Sequence, residues 1–141
     1  MNIKVVYFTR TGTSRRIAEK IASELSCDVV EIRDDMKWKG IFGFIKGGYY
    51  ASKDKPVKIK LSKEIGDYDE LVVVSPLWAG GSAPAIRTFL KNISLEKVNL
   101  VITSNGSSVK DRSGYKCVND IIKSKSNEET VIGDLVKKIM I

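Results

Sequence analysis

Three short segments of this chain, residues 3–8, 71–75 and 98–103, are apolar almost throughout. A strand with one face in water alternates apolar and polar residues, whereas a nearly unbroken apolar run predicts a strand that is covered on both faces. Central strands of parallel sheets have this property. The three segments constrain the fold more than any other feature, and they predict a parallel sheet with helices on both faces.

Helical patterns and shorter strands separate these segments. Apolar residues recur at the three- and four-residue spacing of one helix face over residues 17–25 and again over residues 86–93. Ser82 as an N-cap and Pro84 in the first turn favour the second of these helices. Residues 29–32 predict another strand, and the spacing of Val118, Ile121 and Ile122 predicts another helix. This alternation indicates right-handed βαβ units.

The end of the chain predicts an unusual finish to the fold. Residues 130–136 predict a fifth strand, although Gly133 weakens it. Little sequence follows, so we expect the helix that would normally come next to be missing. Apolar surface would then stay open on one sheet face. We expect a homodimer to cover it through the fourth and fifth strands and the tail, the alternatives being that residues 135–141 fold back over it or that the loop regions rearrange. The length of 141 residues fits a single domain, residues 1–141.

Composition excludes several kinds of site. The chain has no histidine, which excludes Ser-His-Asp and Cys-His nucleophiles and histidine-ligated zinc. Cys27 and Cys117 lie far apart and form no C-x-x-C, so we predict a reduced, cytoplasmic protein without a disulfide framework or a bound metal. No apolar run approaches the roughly 20 residues that span a bilayer. The net charge of +7 fits an acidic protein, a nucleic acid or an anionic membrane surface.

A polar loop follows the first predicted strand, at the edge where open parallel sheets bind their ligands. It consists of small, hydroxyl-bearing or flexible residues and one arginine: Thr9, Arg10, Thr11, Gly12, Thr13 and Ser14. It leads into a helix whose N-terminal N–H groups and dipole favour an anion. It lacks both the G-K-[ST] ending of nucleoside-triphosphate loops and the G-x-G-x-x-G of dinucleotide sites. The loop therefore predicts a phosphate monoester site, the alternative being a hydroxyl-rich cap without a ligand.

Two further loops follow the other apolar strands. One consists of Pro76, Leu77, Trp78, Ala79, Gly80 and Gly81. A tryptophan at a strand end predicts a surface for a planar ligand, the alternative being a side chain that covers the edge of the core. The glycines allow the backbone to approach a ring closely. The other loop carries Ser104, Asn105 and Gly106, whose backbone groups are suited to a ring edge.

These three loops, in this order and each after a strand, resemble the flavodoxin family. The matching segments are T-R-T-G-T-S after V-V-Y-F, then S-P-L-W-A-G-G-S-A-P-A-I-R-T-F-L, then V-I-T-S-N-G-S, and the resemblance runs from Met1 to about Val136. It implies an open parallel five-stranded α/β sheet of strand order 2-1-3-4-5, with FMN bound non-covalently where the strand order reverses.

The resemblance also implies roles for the loops. The first would hold the FMN phosphate, Trp78 would lie against the isoalloxazine, residues 79–81 would lie near flavin N5, and residues 104–106 near its pyrimidine edge. The implied function is electron transfer, with no catalytic side chain. The alternatives are an FMN-dependent quinone or small-molecule reductase that uses NAD(P)H, and a non-redox binding module.

Charge sets this chain apart from familiar flavodoxins, which are strongly acidic. The net charge of +7 favours an acidic redox partner protein, and we expect no nucleic acid. Residues 36–63 hold eight lysines against one acid, together with several aromatic residues. We predict a short, irregular helix near residues 41–52 and an extended return over residues 57–61. The aromatic residues either pack onto the sheet, or the segment forms a docking surface or lid.

Overall fold

A computed structural model of the protein describes residues 1–35 and 56–141. The helix predicted near residues 41–52 and much of the lysine-rich segment therefore lie outside the described residues. The extended return over residues 57–61 lies within them, and Ile59–Leu61 forms a short strand there.

Strands and helices alternate along the described chain. The strands are β1 (Ile3–Tyr7), β2 (Asp28–Asp34), β3 (Ile59–Leu61), β4 (Glu70–Trp78), β5 (Gly81–Ser82), β6 (Val98–Ser104) and β7 (Cys117–Ile122). The described α-helices are α1 (Thr13–Leu25), α2 (Pro84–Leu90) and α3 (Glu128–Met140), with 3-10 turns at Leu95–Lys97 and Lys123–Lys125. Within residues 1–35 and 56–141, none of the helices has both the length and the apolar character needed to cross a membrane.

Five strands run parallel in the order β2-β1-β4-β6-β7. Counted among themselves they have the order 2-1-3-4-5, so the predicted topology is confirmed. Two short antiparallel strands extend this sheet. β3 pairs with β2 at one edge, and β5 folds back on β4. The progression of the strand order reverses between β1 and β4, and the loops after both strands carry predicted site residues.

Helices cover both faces of the sheet, as predicted. On one face, alternate residues of the central strands, such as Val72 and Val74, pack with Ile17 and Ile21 of α1 and with α3. On the other face, their neighbours Leu71 and Val73 pack in one cluster with α2. The central strands are buried on both faces because their apolar residues point alternately into these two clusters.

The end of the chain differs from the prediction in three respects. The helix predicted around Val118 is the parallel edge strand β7, and the strand predicted over residues 130–136 belongs to α3. The C-terminal helix is therefore present, not missing. Ile132, Leu135 and Ile139 are buried at helical spacing. Two acidic residues in the first turn of α3 and two lysines in its last turn also suit the helix dipole.

This helix removes the reason for expecting a homodimer. The face that was predicted to be open is covered by α1 and α3, which pack against Val72, Val74 and Val101 of the sheet. A second copy is no longer needed to cover apolar surface there. The homodimer stays a prediction without a structural argument behind it.

A buried carboxylate lies at the amino end of the sheet, opposite the loops. Glu70 Oε1 accepts a hydrogen bond from Asn99 Nδ2 at 2.9 Å, and Glu70 Oε2 lies 2.8 Å from Lys116 Nζ. Burial by itself raises the pKa of Glu70, but the hydrogen bonds from Asn99 and Lys116 outweigh it and hold that pKa below its ordinary value. The charged form of Glu70 is therefore the form that the fold favours.

Because its folded-state pKa is depressed, Glu70 stabilises the fold above the ordinary glutamate pKa of about 4.3 and loses this effect as the pH falls below it. Glu70→Gln should therefore lower the melting temperature at neutral pH, and the difference from the unmodified protein should shrink at about pH 3. Thermal melts at both pH values measure this. Glu64→Gln, which changes an exposed glutamate, is the control. A difference that does not depend on pH would contradict the prediction.

Candidate functional site

The loops at the carboxyl end of the sheet enclose a cavity of about 770 Å³. Ligand sites commonly have volumes of about 300–1,000 Å³. The described residues that line the cavity come from four segments: residues 9–17, 76–78, 103–107 and 121–128. The first three segments contain the predicted loops. Of the predicted site residues, Gly12, Ala79, Gly80 and Gly81 do not line the cavity, and all the others do.

The first segment brings a helix N-terminus to the cavity. Gly12 has a φ of +100°, a conformation that favours glycine, and its N–H donates to Thr9 Oγ1 at 2.8 Å. α1 then begins at Thr13 without a side-chain cap and without an acidic residue in its first turn. The N-terminal amides of α1 are thus not capped by a side chain, and this is the arrangement that suits an anion.

A buried contact joins this helix to β6. Ser14 is only 2% exposed, and its Oγ lies 3.3 Å from Thr103 Oγ1. Both residues line the cavity. The contact fixes the first turn of α1 above the end of β6, beside the third predicted loop.

The second segment is the end of β4, which turns back as a tight hairpin. Trp78 pairs with Gly81, and the two residues between them, Ala79 and Gly80, have φ values of 51° and 82°. Positive φ at both positions is typical of the two-residue turns that join antiparallel strands. A Cβ at position 81 would lie 2.3 Å from Arg87 Nη2, so a larger residue there would displace the end of the Arg87 side chain. The hairpin holds Trp78 at the cavity while the turn itself lies outside it.

The indole of Trp78 is fixed from one side by an aromatic contact. Its ring centroid is 5.7 Å from that of Phe8, with the planes at 88°. This edge-to-face geometry is favourable for aromatic pairs. Trp78 is half-buried. Among the described residues that line the cavity, it is the only one with an aromatic side chain.

The third segment is a small polar loop that is fixed by its own hydrogen bonds. Ser104 Oγ accepts from Ser107 N at 3.2 Å. The Asn105 carbonyl accepts from Ser124 N at 2.9 Å, which joins this loop to the chain after β7. Asn105 and Gly106 are exposed.

The fourth segment, residues 121–128, is not among the predicted loops. It follows β7, and Asn127 fixes it: its Oδ1 accepts from Ile122 N at 2.8 Å and its Nδ2 donates to the Asp120 carbonyl at 3.0 Å. The spacing of Val118, Ile121 and Ile122 predicts a helix, so the sequence does not indicate that the following loop lies at the carboxyl edge of the sheet. The correct strand assignment would have indicated it.

Cations outnumber acids among the described residues that line the cavity. Arg10, Arg16 and Lys123 line it, against one carboxylate, Glu128. Hydrogen bonds from the Arg16 guanidinium hold the pKa of Glu128 below its usual value. The helix N-terminus and this excess of positive charge both favour an anionic ligand.

Comparisons with known proteins bear on the fold. No protein-family model matches the chain, and a search of curated proteins found no match either. Solved structures do match. A flavoprotein from Lactobacillus acidophilus, crystallised in complex with FMN, has a TM-score of 0.66 and 19% sequence identity, with 92% of this chain and 97% of that chain covered.

Two Bacteroides proteins match over similar lengths. A candidate flavoprotein from Bacteroides eggerthii has a TM-score of 0.75 and 25% identity, covering 99% of this chain and 98% of that chain. A candidate flavoprotein from Bacteroides uniformis has a TM-score of 0.72 and 20% identity, covering 95% and 97%. The strand order and these structures together show that the chain has a flavodoxin-like α/β fold.

Proposed function

We propose that this protein binds FMN non-covalently in the cavity at the carboxyl end of the sheet and acts as an electron-transfer protein. One observation carries the proposal. An N-terminus of a long helix without a side-chain cap and the indole of Trp78 both border the same cavity of about 770 Å³. FMN joins a phosphate to a planar ring, so a ligand of this kind uses both features.

The phosphate end of the cavity suits a dianion. The first-turn amides of α1 and the hydroxyls of Thr9, Thr11 and Thr13 would donate hydrogen bonds to the phosphate oxygens. Arg10 would add positive charge there. Thr11 and Thr13 are exposed, so a phosphate reaches them without rearrangement of the core.

The ring end of the cavity suits a flat, weakly polar group. Trp78 would stack against the ring, and Pro76 and Leu77 add apolar surface on the same segment. The loop of Ser104, Asn105 and Gly106 would offer backbone groups to the ring edge. The residues present therefore fit FMN at both ends.

The side chains of the cavity favour binding over acid–base chemistry. The one carboxylate among the described lining residues, Glu128, is held by Arg16. FMN supplies the redox chemistry when it is bound, since the flavin accepts and returns electrons. The chain's own residues would bind it, orient it and set its surroundings. This is why we favour an electron carrier over a reductase.

Further support comes from the comparisons and from the charge of the chain. The Lactobacillus acidophilus structure contains FMN. The net charge of +7 favours an acidic redox protein as partner, because complementary charge steers association. We propose that the protein acts in the cytoplasm, where Cys27 and Cys117 would stay reduced.

The purified protein, loaded with FMN, should show a flavin absorption spectrum, and calorimetry should show that riboflavin binds at least about tenfold more weakly than FMN. Riboflavin has the same ring and ribityl chain but no phosphate, so it is the matched control. Each charge-assisted hydrogen bond that it loses is worth roughly 1.5–3 kcal/mol. Equal affinities would contradict the phosphate site at the N-terminus of α1.

A second experiment separates the electron carrier from the reductase. The FMN-loaded protein is mixed with NADH or NADPH and followed by its visible absorption. An electron carrier is not reduced at an appreciable rate, because it receives electrons from a partner protein. Rapid bleaching by either nicotinamide would favour the quinone or small-molecule reductase.

A further inference from the structure

The cavity continues beyond the three loops that the sequence predicts. Its fourth segment, residues 121–128, lies at the carboxyl end of β7, two strands away from β4 and Trp78. Adjacent strands are about 4.8 Å apart, so the two positions differ by roughly 10 Å along the sheet edge. Ser14 contacts Thr103 at the end of β6, the strand between them. The N-terminus of α1 therefore lies between the aromatic wall and the fourth segment.

An ion pair lies at the wall of the cavity beside the fourth segment. Glu128, the first residue of α3, accepts two hydrogen bonds from the Arg16 guanidinium: Nη1 to Oε2 at 2.7 Å and Nη2 to Oε1 at 2.6 Å. Lys20 Nζ lies 3.8 Å from Oε2 of the same carboxylate. Glu128 and Arg16 both line the cavity, so the pair bridges α1 and α3 at the cavity wall.

The position of this pair affects two classes of ligand differently. A phosphate monoester ends at its phosphate, so a ligand whose phosphate contacts the first turn of α1 needs no space in the fourth segment. A dinucleotide continues through a second phosphate to a nucleoside. Directed away from Trp78, that second phosphate would meet the carboxylate of Glu128, which has like charge. The cation closest to this carboxylate, Arg16, already donates both terminal nitrogens to Glu128. Lys20 lies 3.8 Å from the same carboxylate, and Lys123 lines the cavity in the fourth segment.

We propose that the Glu128–Arg16 pair is a specificity determinant that excludes flavin ligands extending beyond one phosphate, such as FAD, and so restricts the cavity to FMN. This inference rests on the proposed function. The Glu128 carboxylate would discriminate by repelling the second phosphate of FAD, and not by making an additional contact with FMN. FMN and the FMN half of FAD would use the same loops. The Glu128–Arg16 pair would lie only in the path of the part of FAD that extends beyond the first phosphate.

The test is a titration of the ligand-free protein with FMN and with FAD, followed by calorimetry or flavin fluorescence. The variants are Glu128→Gln, Glu128→Ala and the control Glu129→Gln. Glu129 is the next residue of α3, is exposed and does not line the cavity. Its substitution by glutamine removes the same charge from the same helix turn. FMN binding by each variant also shows that the fold is intact.

The unmodified protein and Glu129→Gln should bind FMN much more tightly than FAD. In both Glu128 variants the ratio of the FAD to the FMN dissociation constant should fall by about tenfold or more, through tighter FAD binding, because the like charge is gone and Arg16 becomes available to the second phosphate. Glutamine keeps the size of the side chain, so a fall in Glu128→Gln assigns the effect to charge.

Three results would overturn the proposal. The first is a ratio that stays unchanged in both Glu128 variants while FMN still binds; this refutes the specificity role and leaves FMN binding intact. The second is an equal fall in Glu129→Gln, which would make the effect one of overall charge. The third is an unmodified protein that binds neither flavin, or both equally well. Failure to bind either flavin refutes the proposed function itself.

Discussion

Leu135→Ala should lower the free energy of unfolding by about 2–5 kcal/mol, because a large buried side chain is replaced by a small one. Leu135 is fully buried on the sheet face that α1 and α3 cover, in one cluster with Ile132 and Ile139. The packed helices and strands can fill the resulting cavity only in part. Urea unfolding curves of the two proteins measure the difference, provided that the slope of the transition stays the same.

The control for this substitution is Thr130→Ala. Thr130 lies in the same helix, is exposed, and should change the free energy of unfolding by less than about 0.5 kcal/mol. If Leu135→Ala behaves like Thr130→Ala, then α3 does not cover the sheet face. That face would again need a cover, and a homodimer would regain its physical argument.

Trp78→Ala should weaken FMN binding by about 1–3 kcal/mol, which corresponds to roughly a 5- to 150-fold higher dissociation constant. This range is the one measured when an aromatic side chain that stacks on a nucleic-acid base is replaced by alanine. The fluorescence of the bound flavin should also increase, because the indole that quenches it is removed. A fluorescence titration of the ligand-free protein with FMN gives both quantities.

Trp78→Phe is the matched variant, since it retains an aromatic face at the end of β4. It should keep most of the affinity that Trp78→Ala loses. Tyr115 packs against the core on the α2 side and does not line the cavity. Tyr49 and Tyr50 lie outside the described residues. If bound FMN stays fully quenched in Trp78→Ala, another aromatic residue stacks on the ring, and the role of Trp78 is refuted.

The central strands could be predicted from the sequence because their burial on both faces requires apolar residues at consecutive positions. Residues of β1, β4 and β6 such as Val6, Val73 and Val101 are buried because each strand has a neighbour on both sides and helices on both faces. Strands covered on both faces accommodate such consecutive apolar residues, and the helical patterns between them indicate that the sheet is parallel. The loops after these strands then had to lie at one edge, which brought Thr11, Trp78 and Ser104 to the same cavity.

The last strand was missed because it is an edge strand. β7 has a neighbour on one side only, and Asn119 and Asp120 interrupt its apolar residues. Without an unbroken apolar run, the spacing of Val118, Ile121 and Ile122 looks helical. Residues 130–136 contain Val131 and Ile132 side by side, which favours a strand locally. The packing of α3 against α1 and the sheet overrides that preference, and no local pattern reports it.

The fourth segment of the cavity could not be predicted because β7 was not recognised as a strand. A loop reaches the carboxyl edge of the sheet only if the strand before it is known. Glu128 and Arg16 lie 112 positions apart in the sequence, so nothing in the spacing of either residue indicates that they meet. The three predicted loops contribute residues to the cavity, but the fourth wall of the cavity and its ion pair depend on long-range packing.

The hydrogen bonds that join the loops to one another affect how quickly a ligand enters and leaves. The Asn105 carbonyl accepts a hydrogen bond from Ser124 N, and Ser14 contacts Thr103. Walls fixed in this way lose little conformational entropy when a ligand enters. Association should then be limited mainly by encounter and orientation, and differences in affinity among variants of the cavity should arise mainly in the dissociation rate. If FMN binds as proposed, we expect substitutions that remove these contacts to change its residence time more than its association rate.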